Sequence, residues 1–483
     1  MKKTLFTLII GLFLLPSAFP QNEMDALRYS QLFPGGTARF VSMGGAFGAL
    51  GGDFSSLSIN PAGLGIYRSS EFTITPALHY NQAETRFFDN PEEDMKYDFN
   101  LNNVGLVFTF PTGNQDNNDG WQFINLGLGI NRHNNFNDRW IADGFNPYSS
   151  QMASILEQAN REGHVENLDP FSTELAWETW LLGEDDDGFF IDMEDNVRQR
   201  QETNTSGSVR EFILSMGANY ADRLYLGASV GFPSVSYEEE SIFEESDTEQ
   251  LNEVFNSMTY INNLKTSGSG YNFKFGAILR VNDFVRLGGA FHSPTFYELT
   301  DKYQSTIRSD LNLDYDTQEA KSPDGRFDYE LNTPLKAIGS IGLVFGNAGL
   351  LSFDYEYTDY TKARLRSSQH LFSEENKTIR ESFTTQHSFR VGGEYIIDPV
   401  VLRAGYGFYA SPYKGDINDG ERQVISTGFG LRESSYFIDF AYVYSFYSED
   451  YHLYFMEENT PNEPVVARDF YSGVFRLTVG WRL

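Results

Sequence analysis

Fourteen short runs in this chain alternate apolar and polar residues, and the connections between them alternate short and long. In order the runs are Phe72–Tyr80, Leu106–Phe110, Ile124–Ile130, Phe212–Tyr220, Leu224–Phe232, Tyr271–Leu279, Val285–Phe291, Leu335–Phe345, Leu351–Tyr357, Phe389–Tyr395, Leu402–Phe408, Ile425–Leu431, Tyr436–Phe446 and Tyr471–Leu483. A period of two is the signature of a strand with two different environments on its faces. The short connections are Thr112–Gly120, Ala221–Asp222, Asn282–Asp283, Gly346–Gly349, Asp398–Pro399 and Arg432–Ser435. The long ones are Asn81–Leu101, His133–Gly207, Glu238–Ser267, Thr300–Arg326, Tyr360–Glu381, Ser411–Glu421 and Tyr447–Arg468. A soluble sandwich has no reason to sort its loops by parity. A membrane β-barrel does, with tight turns at one rim and long loops at the other. An even strand number puts both ends of the barrel on the periplasmic side, and the chain is expected to begin there.

The second face of each run is polar. It carries Asn272, Lys274, Arg280, Arg286, His292, Lys336, Ser340, Asp354, Glu356, Arg390, Glu394, Arg403, Asp439, Arg476 and Arg482. An Arg or Lys on the lipid side costs about 2–4 kcal/mol at the midplane. These side chains are therefore expected to face the lumen. Backbone groups in lipid have no water to bond, so the sheet must close on itself. Tyr357, Tyr447, Trp121 and Trp481, near strand ends, suit the interfacial girdles. The expected fold is all-β: a transmembrane antiparallel β-barrel of fourteen strands.

Composition agrees. The chain has 483 residues with 28 Tyr and 42 Phe, 16% aromatic in all, yet no apolar block long enough for a membrane helix after the leader. Lys2 and Lys3, the apolar run Leu5–Leu15 and the exit Pro16-Ser17-Ala18 read as a secretion signal. Sec export to the outer membrane of a Gram-negative cell follows as the expectation. There is no Cys, which leaves no disulfide and no lipoprotein anchor. A net charge of −31 argues against nucleic acid as a partner.

Ahead of the first strand lies Gly35–Ser69, rich in Gly, Ala and Ser but studded with Phe40, Met43, Phe47, Leu50, Phe54, Leu57, Ile59, Leu64 and Ile66. Its glycines are too frequent for a stable helix, and its apolar anchors need something to pack on. Such a segment reads as an N-terminal hatch that plugs the lumen. Asn60-Pro61-Ala62-Gly63 fixes a turn within it.

Gly51-Gly52-Asp53-Phe54-Ser55-Ser56, followed by Asn60-Pro61-Ala62-Gly63-Leu64, resembles the hatch motif of the FadL/TodX family of outer-membrane transporters of hydrophobic compounds. The final strand is similar too, ending in Leu483 where Phe is usual. The resemblance implies a signal peptide at 1–20, a hatch at 21–69 and a barrel at 70–483 whose longest loop is 133–207. It implies passive uptake of a hydrophobic small molecule, such as a long-chain fatty acid. The ligand would be caught at outer loops, gated by the hatch residues Gly51, Gly52, Asp53, Asn60, Pro61, Ala62, Gly63 and Leu64, and released sideways into the bilayer. The partners implied are that ligand and the surrounding outer-membrane lipid and lipopolysaccharide, with the protein a monomer, no cofactor and no enzymatic activity.

The residues suggest further sites. Ser150–Glu162 and Phe171–Leu182 have helical periodicity, the second opened by Asp169-Pro170. Trp177, Trp180 and Leu181 on its apolar face are candidates for ligand capture, although such stripes more often form a core. Lumenal Arg280, Arg286, Arg390 and Arg403 are candidate partners for a carboxylate, set against a structural ion-pair network. Glu184–Asp187 with Asp192, Glu194 and Asp195, and the run Glu238–Glu253, lack the spacing of a calcium loop and read as solvated acid. His79, His292 and His387 are scattered, so no metal or catalytic set emerges. Two rival functions remain: a barrel of the same fold acting as a PorV-like shuttle of type IX secretion, and an outer-membrane enzyme with a catalytic set at the rim.

Overall fold

A computed structural model describes residues 23–112, 120–193, 196–312, 317–415, 417–456 and 464–483. The expected signal segment, most of the Thr112–Gly120 connection, and Glu194 and Asp195 lie outside these residues. The wall is a closed antiparallel barrel of fourteen strands. They are β1 (Glu71–Phe87), β2 (Asn90–Pro111), β3 (Trp121–Asn135), β4 (Val197–Tyr220), β5 (Leu224–Ser246), β6 (Phe255–Arg280), β7 (Val285–His292 continued by Phe296–Leu311), β8 (Gly325–Asn332 continued by Lys336–Val344), β9 (Gly349–Asp359 continued by Arg364–Arg366), β10 (Thr385–Ile397), β11 (Val400–Tyr409), β12 (Arg422–Arg432), β13 (Tyr436–His452) and β14 (Val465–Arg482). Closure is made by β14 on β1, in register from Glu71 opposite Arg482 to Phe87 opposite Val466.

The two faces sort as the alternation requires. Phe273, Phe275, Leu287, Ile341, Phe353 and Leu402 are exposed toward lipid, while Asn272, Lys274, His292, Asp354, Arg390, Arg403 and Asp439 are buried in the lumen. Arg280 and Arg286 differ: they sit half-exposed near the short-turn rim. Several expected long loops are instead strand. Asn81–Leu101 is a continuous β1–β2 hairpin that turns at Phe88 and Asp89. Past Gln82 and Met95 the hairpin has polar and charged side chains on both faces, as a strand in water does, so its tip loses the apolar beat and reads as loop.

Two prolines divide the wall. Ser293-Pro294-Thr295 interrupts β7, and Thr333-Pro334-Leu335 interrupts β8 directly alongside. Proline has no N–H for the ladder. The break is mended locally, with Thr295 N donating to Thr333 Oγ1 at 2.9 Å and Thr333 N to the Thr295 carbonyl at 3.0 Å. Crossing it reverses which parity faces inward. Above it Tyr297, Leu299, Phe327, Tyr329 and Leu331 are buried in an apolar core with helix α1 (Glu23–Ser30), and Glu298, Asp328 and Glu330 face out. The described chain thus starts in the outer half, where Tyr413 of the outer loop reaches Met24. This corrects the expected start at the periplasmic rim. The barrel's own ends, Glu71 and Arg482, do meet at the short-turn rim.

Below α1, residues 31–69 fill the lumen. They form helix α2 (Ala38–Ser42) and two short 3₁₀ turns, Phe54–Ser58 and Pro61–Ile66. The wall meets them with glycine. A Cβ at Gly227 would lie 2.2 Å from the Pro61 carbonyl carbon, at Gly288 2.2 Å from the Gly48 oxygen, at Gly392 2.2 Å from the Met43 oxygen and at Gly405 2.2 Å from the Gly44 nitrogen. The inner wall is therefore a mould of the segment's backbone. Gly227→Val should unseat it at a cost of about 2 kcal/mol or more, as overpacking does. Limited proteolysis should then cut within 31–69, whereas Gly339→Ala, where nothing lies within 4 Å, should leave the digest unchanged.

Candidate functional site

Asparagine, threonine and aspartate organise the plug. Asn60 caps the second 3₁₀ turn, accepting from Ala62 N at 3.1 Å, while its amide donates to the Gly48 carbonyl at 2.6 Å and the Ala277 carbonyl at 3.2 Å. Asp53 caps the first turn, accepting from Ser55 N at 2.9 Å and Thr37 Oγ1 at 2.8 Å. Burial pushes the Asp53 carboxyl above its usual range, opposed by the Arg39 guanidinium and the Thr37 hydroxyl. Gly51 and Gly52 both take positive φ, 61° and 64°, which lets Gly52 N reach the Gly63 carbonyl at 3.1 Å. Pro61, Ala62, Gly63 and Leu64 are buried in the turn itself. The eight motif residues thus form one knot around the Gly52–Gly63 contact.

The knot is tied to the wall by charge. Asp354 accepts from Phe47 N at 3.1 Å and Gly48 N at 3.0 Å. Arg39 reaches Glu394 at 3.0 Å, Glu394 reaches Arg403 at 2.6 Å, and Arg403 reaches Asp439 at 2.7 Å. Arg390 pairs with Glu356 at 2.8 Å. Arg286 donates to the Leu50 carbonyl at 3.1 Å, and Arg280 pairs with Asp283 at 2.7 Å in the turn. The four arginines singled out in the sequence are therefore all bound to protein partners, in separate places.

At the outer end, helix α3 (Gln151–Glu162) and helix α4 (Thr173–Glu178) bury Met152, Ile155, Ala159, Leu175, Ala176 and Leu181 against the upper strands. Helix α4 is shorter than the expected Phe171–Leu182. Asp169 accepts from Phe171 N at 2.8 Å in a turn ahead of it, and the N-cap position falls to Ser172. Leu181 is core. Trp177 is half-buried, edge-on to Phe189 at 6.0 Å between centroids. Trp180 is 51% exposed, at the left-handed position that ends the helix (φ 61°). Trp177 and Trp180 line an open groove of about 500 Å³ with Glu178, Leu182, Gly183 and Glu319.

A feature that the sequence reading missed lies between β2 and β3. The two strands pair from Pro111–Phe123 up to Asn103–Asn131 and then part. Above this point β2 keeps only its ladder to β1. The chain after β3 tucks inward as the strand Asp138–Asn146, which pairs with β4 and packs Trp140 and Ala142 on Ala83, Phe87 and Phe470. The wall is left with a seam closed by side chains. Lys96 Nζ donates to Asn204 Oδ1 at 2.6 Å and to the Thr205 carbonyl at 2.7 Å. Arg139 meets Asp94 at 3.2 Å, and Arg132 meets Asp98 at 3.8 Å. On the lipid side Leu101, Phe99, Tyr97 and Met95 line the free edge, with Phe99 72% and Tyr97 68% exposed.

Behind the seam runs a strap, residues 31–36. Asn134 of β3 donates to the Gln31 carbonyl at 2.7 Å, and Gly36 N donates to Asn102 of β2 at 2.9 Å. A Cβ at Gly35 would lie 1.9 Å from the Arg132 carbonyl oxygen, so only glycine passes there. On its other side the strap borders a cavity of about 60 Å³. Leu32, Phe33, Phe40 and Ile59 form one side of it, and Glu211, Lys274, His292 and Lys336 the other. The signal for the seam was present in the sequence as two asparagine-rich stretches, Asn100–Asn103 and Asn131–Asn137. Where the strands diverge their amides turn to the strap, Asn134 to Gln31 and Asn102 to Gly36.

The profile of the family described as outer membrane protein transport protein (OMPP1/FadL/TodX) matches residues 192–460, more than half of the chain. Among solved structures, the chain is similar to a Pseudomonas aeruginosa FadL homologue at 14% identity, covering 93% of this chain and 99% of that one with a TM-score of 0.57. The Pseudomonas putida toluene transporter TodX matches at 12% identity over 93% and 99%, TM-score 0.55. The Ralstonia pickettii toluene transporter TbuX matches at 13% over 93% and 99%, TM-score 0.52. A search of curated protein sequences found no match. These likenesses fix the fold, and the profile match fixes the lineage: the chain belongs to the OMPP1/FadL/TodX family of outer-membrane transport proteins.

Proposed function

We propose that this barrel takes up hydrophobic small molecules across the outer membrane and releases them sideways. One observation carries the reading: a seam in the outer half of the wall, lipid-lined outside and backed by the strap, stands above a lumen packed shut by the plug. The straight path is blocked by atoms in contact, so the short path leads out through the side. The resemblance of the fold to toluene transporters supports the same class of cargo. In this reading Trp177 and Trp180 gather ligand in the outer groove, Leu181 anchors them, and the strap rather than the deeper knot moves. The knot of Gly51 to Leu64 holds the floor.

The chain has no native cysteine, which makes cross-linking clean. Lys96→Cys with Asn204→Cys, bridged by a reducible bis-thiosulfonate linker, should reduce uptake of a fluorescent alkyl probe by whole cells to the level of cells without the protein. Reduction of the linker should restore it. Unchanged uptake in the bridged protein would overturn lateral release. Lys96→Met removes the charged donor that spans the seam, a contact of about 1.5–3 kcal/mol. It should raise probe uptake about threefold or more, together with faster hydrogen exchange along residues 94–102.

A further inference from the structure

On the outside of the wall the side chains of β5 to β8 are sorted by type. Tyr271 of β6 and Phe296 of β7 face each other across the ladder, with ring centroids 5.3 Å apart. Toward the outer loops from these rings, the next two rows are mainly hydroxyl. Ser234 faces Ser269 and Ser236 faces Ser267 across β5 and β6, and Ser267 faces Thr300 of β7. The four serines are exposed and Thr300 is half-exposed. Serine is the smallest side chain that both donates and accepts a hydrogen bond, so this stretch is a shallow polar shelf.

Beyond the shelf comes a basic row. Lys265, Lys302 and Arg326 stand directly opposite one another on β6, β7 and β8, all three exposed. Like charges that face each other across a ladder are destabilising. Lys265 pairs with Glu238 of β5, and Arg326 pairs with Asp328 at 3.0 Å. Among the described residues no carboxylate lies within ion-pair distance of Lys302. The same holds for Arg210 of β4, which is exposed beside Ser234 in the β4–β5 ladder and whose Nε donates to Ser208 Oγ at 3.2 Å. Two uncompensated cations thus flank a hydroxyl shelf, in a chain with 67 acidic and 36 basic residues. The acids nearest the shelf, Glu298 and Glu330, face each other on β7 and β8 and bound it on that side.

The geometry points to a docking site on this flank for one lipopolysaccharide molecule of the outer leaflet. Its acyl chains lie on the exposed rings of Phe232, Phe273 and Tyr271. Its sugar rings lie on the serine shelf, hydroxyl against hydroxyl. The phosphates of its core sit between Arg210 and the row of Lys265, Lys302 and Arg326, where they relieve the repulsion within that row. Height decides for this lipid over a phospholipid. Lys265 is six residues from Tyr271, and Lys302 is six from Phe296. Six residues are roughly 20 Å of strand, or about 15 Å of height at a tilt of about 40°. The cations therefore stand clear of the bilayer surface, above a phospholipid head and level with a sugar core. Arg210 suits a phosphate through paired donors, and the lysines act as point charges. Neither the seam nor the cargo enters into this site.

The test uses the full-length protein in detergent with EDTA present. The probes are a purified lipopolysaccharide with a phosphorylated core, lipid A alone, and phosphatidylglycerol. The core-bearing lipid should bind about tenfold more tightly than either of the others, the expected worth of charge-assisted contacts to the core. Lys302→Gln combined with Arg210→Gln should remove that advantage and leave lipid A binding unchanged. Ser267→Trp, which fills the shelf, should remove it as well. Heat-dependent migration on a gel reports that the barrel of each variant has formed. Equal affinity for core-bearing lipid and lipid A in the unaltered protein, a comparison that needs no variant to fold, would overturn the site. Phosphatidylglycerol bound as tightly as the core-bearing lipid would reduce it to a general anion patch and overturn it too. Binding that needs Mg²⁺ in place of EDTA, and survives the double substitution, would give the contact to Glu298 and Glu330 through the metal ion and overturn the basic site.

Discussion

In the hydrocarbon layer every backbone N–H and C=O must find a partner within the protein, and the architecture follows from that demand. It forces the sheet to close, β14 on β1, and it limits where the wall can depart from a ladder. Both departures are mended. At the paired prolines two threonines take over the bonding. At the seam Lys96 covers carbonyl oxygens where the tucked strand leaves the wall. A gap stitched by side chains opens with far less disruption than a strand pair, because no run of cooperative bonds has to break.

The plug obeys the same demand in a different way. Its small-residue backbone lies directly on wall glycines, and its exposed peptide groups are met by Asp354, Ser426, Thr478 and Asn125 from the barrel. The lumenal charges then fall into two kinds. Most are in closed networks, such as Arg39, Glu394, Arg403 and Asp439, which join plug to wall and hold both. Arg476 is bound only through the strap, at the Gly36 carbonyl.

Much of the barrel was legible in the sequence because lipid imposes a period of two. Phe273 and Phe275 had to alternate with Asn272 and Lys274, and the short turns at Ala221-Asp222 and Gly346–Gly349 marked one rim. The plug was legible from its glycines and from Asn60-Pro61. Strand ends were not, since water on both faces erases the pattern above Tyr80. Arg280, Arg286, Arg390 and Arg403 looked equivalent to Arg476 in the sequence. Only the closed sheet shows which of them stand beside an acid. The seam was hidden for a related reason: Asn100–Asn103 and Asn131–Asn137 are far apart in the chain, and their meaning depends on two strands that diverge.

The paired prolines also act as a ruler. The lower part of β7, Val285–His292, is eight residues long, or about 26 Å of extended chain. At the usual tilt of about 40° this is roughly 20 Å of height. Past Pro294 and Pro334 the outward face keeps Phe296 and then turns to Glu298, Asp328 and Glu330, so the greasy band on this flank ends close to that line. The molecule is thereby cut to a thin bilayer, and it would sit badly in a thicker one, however far its strands extend above the surface.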